Sequence, residues 1–465
     1  MSTEKRSGTV LFLGKRAGRL TESEEGYVFR YEAKFLEDPG ALPISVTLPL
    51  RKEPFLSREL HPFFDGLLPE GWTLEHVARN RNLDPEDRMD LLLACCRECV
   101  GAVSIGEDAS SPGEDNSEED SLGGIGADEV PPAAASHPDA ARPDGDNRCL
   151  CCCEPVETGL AHPACSRRLF GTDRPPVLDL TLEALYRLAG HALTGFVPGV
   201  QPKMSLTRLF RNGRDTLTLR SGQCTYLAKP QVPEYRALPE NEALTMAMAA
   251  AAGIETAPCG LLPLASGELC YVTLRMDRLE AGKEGLKPAQ RPMEDFCQAT
   301  EHPTRRKYKG SMELVARTLR RLSDDPGRDL AELLRRTLFI FLSGNADMHL
   351  KNFSFLQDGH TRRLAPAYDL LSTRLVISER DDPEELALPL NGKKNRLKRE
   401  DFALFARNIG LNDRQFQAAC DALAARLPVL FDLVRKSFLP GDLKEAYGEL
   451  LRERSARLGL APQGR

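Results

Sequence analysis

Between residues 106 and 147 the chain offers almost nothing from which a core could be built. Gly, Ser, Pro and Ala dominate, and residues 107 to 140 hold ten acids with no Lys or Arg. Ordering such a stretch would cost chain entropy with little apolar burial to offset it. It therefore reads as a solvated acidic linker, and a chain of 465 residues divided this way is expected to fold as two or three bodies. Without those ten acids the formal net charge of −6 becomes +4. The folded remainder is thus mildly basic, which suits small anionic ligands but falls short of a nucleic-acid footprint. No apolar run approaches the roughly 18 residues of a membrane span, and Met1 to Ser7 has no apolar core of the signal-peptide kind behind its charges. The expectation is a cytoplasmic protein with no membrane partner. Its thirteen Cys are bunched, at Cys95-Cys96, Cys99 and Cys149 to Cys153. In a reducing compartment that bunching points to thiols or a metal rather than to disulfides.

Residues 7–105 form the first expected body, a small β-rich subdomain. Thr9 to Gly14, Tyr27 to Tyr31 and Ile44 to Leu48 combine β-branched and aromatic residues between turn formers and predict strands. A mainly helical section runs on to Leu93. Within it, Pro69, Gly66 and Gly71 predict a broken helix start across Phe63 to Gly71. On pattern alone that segment reads as packed core.

After the linker, residues 148–172 are rich in Cys and His. Cys149 and Cys152 form a C-x-x-C, and His162 and Cys165 an H-x-x-C. Three thiolates and one imidazole could hold a tetrahedral Zn²⁺. Free thiols are the equal alternative, since Cys151 and Cys153 blur the ligand set.

Residues 173–275 read as helix, glycine-containing loop and strands. Thr194 to Lys203 carries two Gly and two Pro; glycines let backbone N–H groups approach a polyphosphate, and Lys203 could add a charge. Cys224 to Lys229 is a short apolar strand ending in a lysine, which if turned inward needs an anionic partner. Asn241 reads as the N-cap of a helix closed by Gly253, with Glu242 in its first turn and able to hold Lys229. Cys259 to Leu264 and Leu269 to Leu274 predict a hairpin across Ser266-Gly267. Its second strand, with Val272 and Leu274, would lead into a hinge able to hold adenine.

Residues 276–460 are expected to be mainly helical. Leu330, Leu333, Leu334, Leu338, Phe341 and Leu342 recur at helical spacing and stop at Gly344. Further helices are expected over about 400–436 and 441–458. The buried helix delivers Asp347, Asn352 five residues later, and Asp369. Phosphoryl transfer from ATP needs one carboxylate to orient a hydroxyl and two oxygen ligands for Mg²⁺, and protein kinases space their catalytic-loop Asp and Asn in this way. Glycine loop, strand lysine, helix glutamate, hairpin, buried helix, Asp-x₄-Asn and Asp follow one another in kinase order.

The chain resembles the HipA family of serine/threonine kinases, toxins of bacterial type II toxin–antitoxin systems. Phe64 to Gly71 and Cys99 to Val103 resemble signatures of that family's N-terminal subdomain. Gly199 to Lys203, Lys229, Asn241-Glu242, Asp347 to Ser354 and Tyr368-Asp369 resemble those of its kinase core. Cys149 to Gly171 is similar to the start of members whose N-terminal subdomain is a separate polypeptide, as in split HipT-type toxins. The resemblance implies an α+β fold, with a protein-kinase-like two-lobed core (β-rich N-lobe, α-helical C-lobe) behind the small subdomain. It implies Asp347 and Lys351 as catalytic groups, Lys351 near the γ-phosphate. Gly199, Gln201, Lys203, Lys229, Glu242, Val272, Leu274 and His349 would serve nucleotide binding, and Asn352 and Asp369 would bind Mg²⁺. It also implies a protein substrate such as an aminoacyl-tRNA synthetase, and a helix-turn-helix antitoxin through which alone DNA is met. Two departures stand out. No Ser lies in the loop at Phe196 to Gly199, so self-inhibition by loop phosphorylation is not expected. Leu274 and Met276 stand where an acidic residue and an aromatic are common. The alternatives are a kinase-fold co-repressor subunit with weak turnover, and a metal-dependent hydrolase using Asp347, His349 and Asp369.

Overall fold

The computed structural model describes residues 6–106, 147–191, 202–211, 213–219, 224–279 and 289–460. The acidic segment and the glycine loop with Thr194, Gly199 and Gln201 lie outside these residues.

An antiparallel sheet opens the chain: β1 (Ser7–Phe12), β2 (Lys15–Ser23), β3 (Gly26–Tyr31), β4 (Phe55–Ser57) and β5 (Val103–Gly106), in the order β4-β3-β2-β1-β5. Alternate residues of β1 are buried, and Val10, Phe29, Phe64, Leu91 and Leu92 share one core with the helices Gly71–Arg81 and Arg88–Cys95. The helix start breaks as expected, into the single turn Pro62–Asp65 and then Gly71–Arg81. Ile44 to Leu48 is not a strand. Pro43 and Pro49 bracket it, and apart from an isolated bridge between Ser45 and Leu48 it leaves the sheet. Ser45 Oγ and Val46 N–H instead donate to Glu294, at 2.5 and 3.1 Å.

A second antiparallel sheet comprises β6 (Met204–Arg211), β7 (Arg214–Leu219), β8 (Tyr226–Lys229), β9 (Cys259–Pro263) and β10 (Leu269–Leu274), in the order β7-β6-β8-β10-β9. The expected hairpin is present as β9–β10, with Leu269 opposite Pro263. Helix Leu238–Ala251 packs against β9 and β10. It begins three residues before the expected cap, with Ala237 left-handed ahead of it. Asn241 therefore lies inside the helix, where its side chain exchanges hydrogen bonds with the backbone of Ser372, both at 2.9 Å. Tertiary pairing outweighs the capping preference here.

The C-terminal half is built around helix Pro326–Leu342, whose Leu333, Leu338, Phe339, Phe341 and Leu342 are fully buried. The expected helix over 400–436 is two, Arg399–Asn408 and Asp413–Lys436, parted at Gly410 with its positive φ of 81°. Helix Gly441–Arg457 follows. A three-stranded ribbon, Met293–Asp295, Ser354–Asp358 and Thr361–Leu364, was not anticipated by the helical reading. Among the described residues no helix is long and apolar enough to cross a membrane.

The first sheet docks onto the rest through buried charge. Gly101 N–H donates to Asp277 at 2.8 Å, Arg278 donates to Gly101 O at 2.7 Å, and Arg275 donates to Cys99 O at 3.0 Å. A Cβ on Gly101 would lie 2.6 Å from Met293 O, so only glycine fits that approach.

Candidate active site

A cavity of about 1080 Å³ opens between the second sheet and the C-terminal helices, and its walls include residues from all three parts of the chain. The strand lysine faces into it. Lys229 Nζ lies 2.5 Å from Glu242 Oε1 and also bonds Asp369 Oδ1, while Lys203 Nζ lies 3.5 Å from Asp369 Oδ2. Lys229 is 3% exposed and Glu242 1%, so both sit in low dielectric. Burial alone would depress the Lys229 ammonium, yet Asp369 and Glu242 hold it above its ordinary value. Burial pushes the Glu242 carboxyl up to about 7 against the pull of Lys229. For Asp369 burial opposes ionisation, but Lys203 and Lys229 together keep its carboxyl far below the usual range. Asp369 also has a positive φ of 58°, uncommon for a residue with a Cβ and of the strained kind that collects at functional sites.

The loop after helix Pro326–Leu342 is tightly held. Asn345 Oδ1 accepts from Asp347 N–H at 3.0 Å, and Thr373 Oγ1 accepts from Ala346 N–H at 2.9 Å. Asn352 Nδ2 donates to Asp347 O at 3.0 Å, spanning the five-residue spacing seen in the sequence. The Asp347 carboxylate faces the cavity, where Tyr308 donates to its Oδ1 at 2.6 Å. Burial raises the Asp347 carboxyl and Tyr308 pulls it back. His349 packs edge-on to Tyr308, with ring centroids 5.0 Å apart. Burial, then Lys307, pushes its imidazole down to about 3, so it is neutral at physiological pH.

The cavity thus gathers Lys203, Lys229, Glu242, Leu274, Asp347, His349, Lys351, Asn352 and Asp369 of the expected set. Val272 is a correction. It is opposite Ala228 in the β8–β10 ladder and buried in the apolar core with Met204, Leu206 and Tyr226. Tyr271, opposite Lys229, and Thr273 take the cavity side, since strand neighbours alternate. Lys351 is also more engaged than expected. Its ammonium bonds Asp295 at 2.8 Å and Gly66 O at 3.1 Å, with Glu70 at 3.8 Å.

Several lining residues had no local signal. Tyr308 and Lys307 sit beside Asp347 and His349, and Glu70 bonds Lys307 at 2.9 Å. Gly66, Leu67, Glu70 and Gly71, read from sequence as packed core, form one wall. The Pro-Gly pattern that breaks the helix there was the available clue, because it places backbone and a short turn where a helix face would otherwise stand.

Comparison with known proteins gives two family matches: the HipA N-terminal domain over residues 8–106 and the HipA-like C-terminal domain over 195–430. The candidate kinase Y4mE of Sinorhizobium fredii is 31% identical over 370 residues, 77% of this chain and 76% of that protein. The serine/threonine-protein kinase toxin HipA of Shewanella oneidensis is 26% identical over 267 residues, 54% of this chain and 59% of that one. The solved structure of Shewanella oneidensis HipA with HipB and its operator DNA matches at a TM-score of 0.68 and 20% identity, over 97% of each chain. At that identity the likeness speaks to fold, a kinase-like core behind a β-rich N-terminal region.

Proposed function

This chain belongs to the HipA family of kinases, and from that membership we propose that it transfers the γ-phosphate of ATP to Ser or Thr hydroxyls of a protein, as the toxin of a toxin–antitoxin pair in the cytoplasm. The observation that carries the reading is the meeting of Lys229, Glu242 and Asp369 with Asp347 and Asn352 around one cavity. Lys229, fixed by Glu242 and charged throughout the physiological range, holds the α- and β-phosphates, with Lys203 adding a second ammonium beside it. Asp347 orients the acceptor hydroxyl, and the Tyr308 hydroxyl now bonded to it marks where such a group is held.

The hard oxygen donors of Asp369 and Asn352 face the same space and fit Mg²⁺. Asn352 uses its amide nitrogen on Asp347 O, so its oxygen is the end that would be left to hold a cation. When bound, Mg²⁺ neutralises charge on the phosphate oxygens. Neutral His349 packs edge-on to Tyr308 and lines the same cavity, where it would contact the nucleotide. Tyr271, Thr273, Leu274 and Met276 line the side of the cavity assigned to adenine, where recognition rests on apolar surface and backbone. Gly199 and Gln201 complete the phosphate loop in this reading.

The Shewanella HipA relative, solved with HipB and operator DNA, supports a DNA-binding antitoxin as partner, with DNA reached only through it. A translation protein such as an aminoacyl-tRNA synthetase is the proposed target class. Inducing the wild-type chain and Asp347→Asn in parallel tests this by growth and phosphoproteomics. Growth arrest and new phospho-Ser or phospho-Thr sites are expected with the wild type alone. Equal phosphoproteomes with equal arrest would refute the proposal and point to a binding subunit.

A further inference from the structure

The thiol cluster after the linker lies away from the cavity residues and has a geometry of its own. Cys149 N–H donates to Glu154 O at 2.7 Å and Cys153 N–H to Cys149 O at 2.9 Å, closing a tight turn in which Cys153 takes a positive φ of 63°. His162 precedes helix Pro163–Phe170, but its side chain does not cap that helix. Its Nε2 instead meets Pro155 O at 2.8 Å. A carbonyl can only accept, so Nε2 carries the proton and Nδ1 presents a lone pair. That lone pair faces Cys152 Sγ at 3.4 Å and Cys165 Sγ at 4.0 Å. His162 N–H points at Cys149 Sγ, 3.4 Å away. One ligand atom from each of Cys149, Cys152, His162 and Cys165 lies within 4.8 Å of every other.

A zinc tetrahedron with bonds of about 2.3 Å to sulfur has edges of about 3.8 Å. The four atoms bracket that edge, from 3.4 Å between Cys152 Sγ and His162 Nδ1 to at most 4.8 Å, so shifts of no more than about 1 Å bring them into the tetrahedron. A disulfide would leave the oriented imidazole without a purpose, whereas a metal-bound histidine characteristically gives its other ring N–H to a carbonyl or carboxylate.

The turn also joins parts of the fold that are distant in sequence. Leu150 O accepts from Leu261 N–H at 2.9 Å, covering the edge strand β9. A Cβ on Gly260 would lie 2.8 Å from Cys151 Sγ, so the turn rests directly on that strand. On its other side Arg148 donates to Ser437 O at 2.9 Å and stacks on Phe438 at 4.8 Å. Lys436, at the end of helix Asp413–Lys436, pairs with Glu154 at 2.8 Å.

We propose that Cys149, Cys152, His162 and Cys165 bind one structural Zn²⁺, and that the resulting knuckle clamps the free edge of the second sheet to the C-terminal end of helix Asp413–Lys436. Four protein ligands leave no open position, so the metal serves the fold rather than chemistry. Binding forms three Zn–S bonds and one Zn–N bond and releases the thiol protons to solvent.

The test uses the full chain purified without chelator. Elemental analysis should give close to one zinc per chain, retained in Cys151→Ser and lost in Cys165→Ser. Because Cys165→Ser could fold poorly, the wild-type chain is also loaded with Co²⁺. Intense tetrahedral d–d bands and thiolate-to-cobalt charge transfer are expected. Stripping the metal should lower the thermal midpoint by several degrees, and zinc should restore it. Absence of zinc with an octahedral cobalt spectrum, or full zinc content in a folded Cys165→Ser, would overturn the site. An unchanged midpoint after stripping would overturn the clamp.

Discussion

Tyr308 donates its hydroxyl proton to the Asp347 carboxylate, the group to which the proposed reaction assigns the acceptor. That bond lowers an Asp347 pKa that burial raises. Removing it in Tyr308→Phe lets the carboxyl climb further, so the acid limb of kcat/KM against pH should move to higher pH. At neutral pH the variant should stay folded and active; an unmoved acid limb would show that Asp347 does not set it. Asp347, Asn352 and Asp369 were legible in the sequence because their spacing is local and chemically specific. Lys229 was legible because a strand-end lysine among apolar residues calls for a partner. Tyr308, Lys307 and Glu70 were not, since each reaches the cavity through chain folding and no periodicity marks it. The Val272 error was one of parity: with Lys229 turned inward and Tyr271 opposite it, the neighbouring residue must face the core.

Among the elements, the hairpin β9–β10 followed from two apolar runs joined at Ser266-Gly267, and the long buried helix from an apolar stripe at helical spacing. The strand Met293–Asp295 escaped because three residues show no period, and its place is set by its partner Ser354–Asp358. Glu294 on that strand accepts from Ser45 and Val46 of the N-terminal subdomain, with Arg362 and Asp295 as its charged neighbours. Burial pushes its carboxyl from an ordinary 4.5 up to about 7. Its contribution to stability is therefore full below the unfolded value and is lost as pH rises through the folded one. The loss is on the order of 3 kcal/mol. Between pH 4.5 and 7 the thermal midpoint of the wild type should fall relative to that of Glu294→Gln, which stays neutral throughout. Comparing the two chains separates this effect from Glu242, which is raised similarly and present in both. Parallel curves would show that Glu294 does not titrate in that window.

At the scale of the molecule, composition and strand patterning give the expectation of a β-rich start, an acidic linker over 106–147 and a larger remainder, and residues 107–146 of that linker lie outside the described residues. Neither pattern foretells how the first body docks onto the last. Cys99 and Gly101 meet Arg275, Asp277 and Arg278 across some 175 residues of sequence, and nothing in either segment names the other. The same docking turns Gly66 and Glu70 from apparent core into cavity wall and ties Lys351 to the N-terminal subdomain. In the proposed reaction these pieces converge on one site that binds magnesium-loaded ATP and moves its terminal phosphate. Labelled γ-phosphate transfer by the purified chain, wild type against Asp347→Asn with ATP binding measured on both, tests it most directly. Similar nucleotide affinity and a loss of transfer of at least about a hundredfold are expected in the variant. Transfer at the wild-type rate by a folded Asp347→Asn would contradict it.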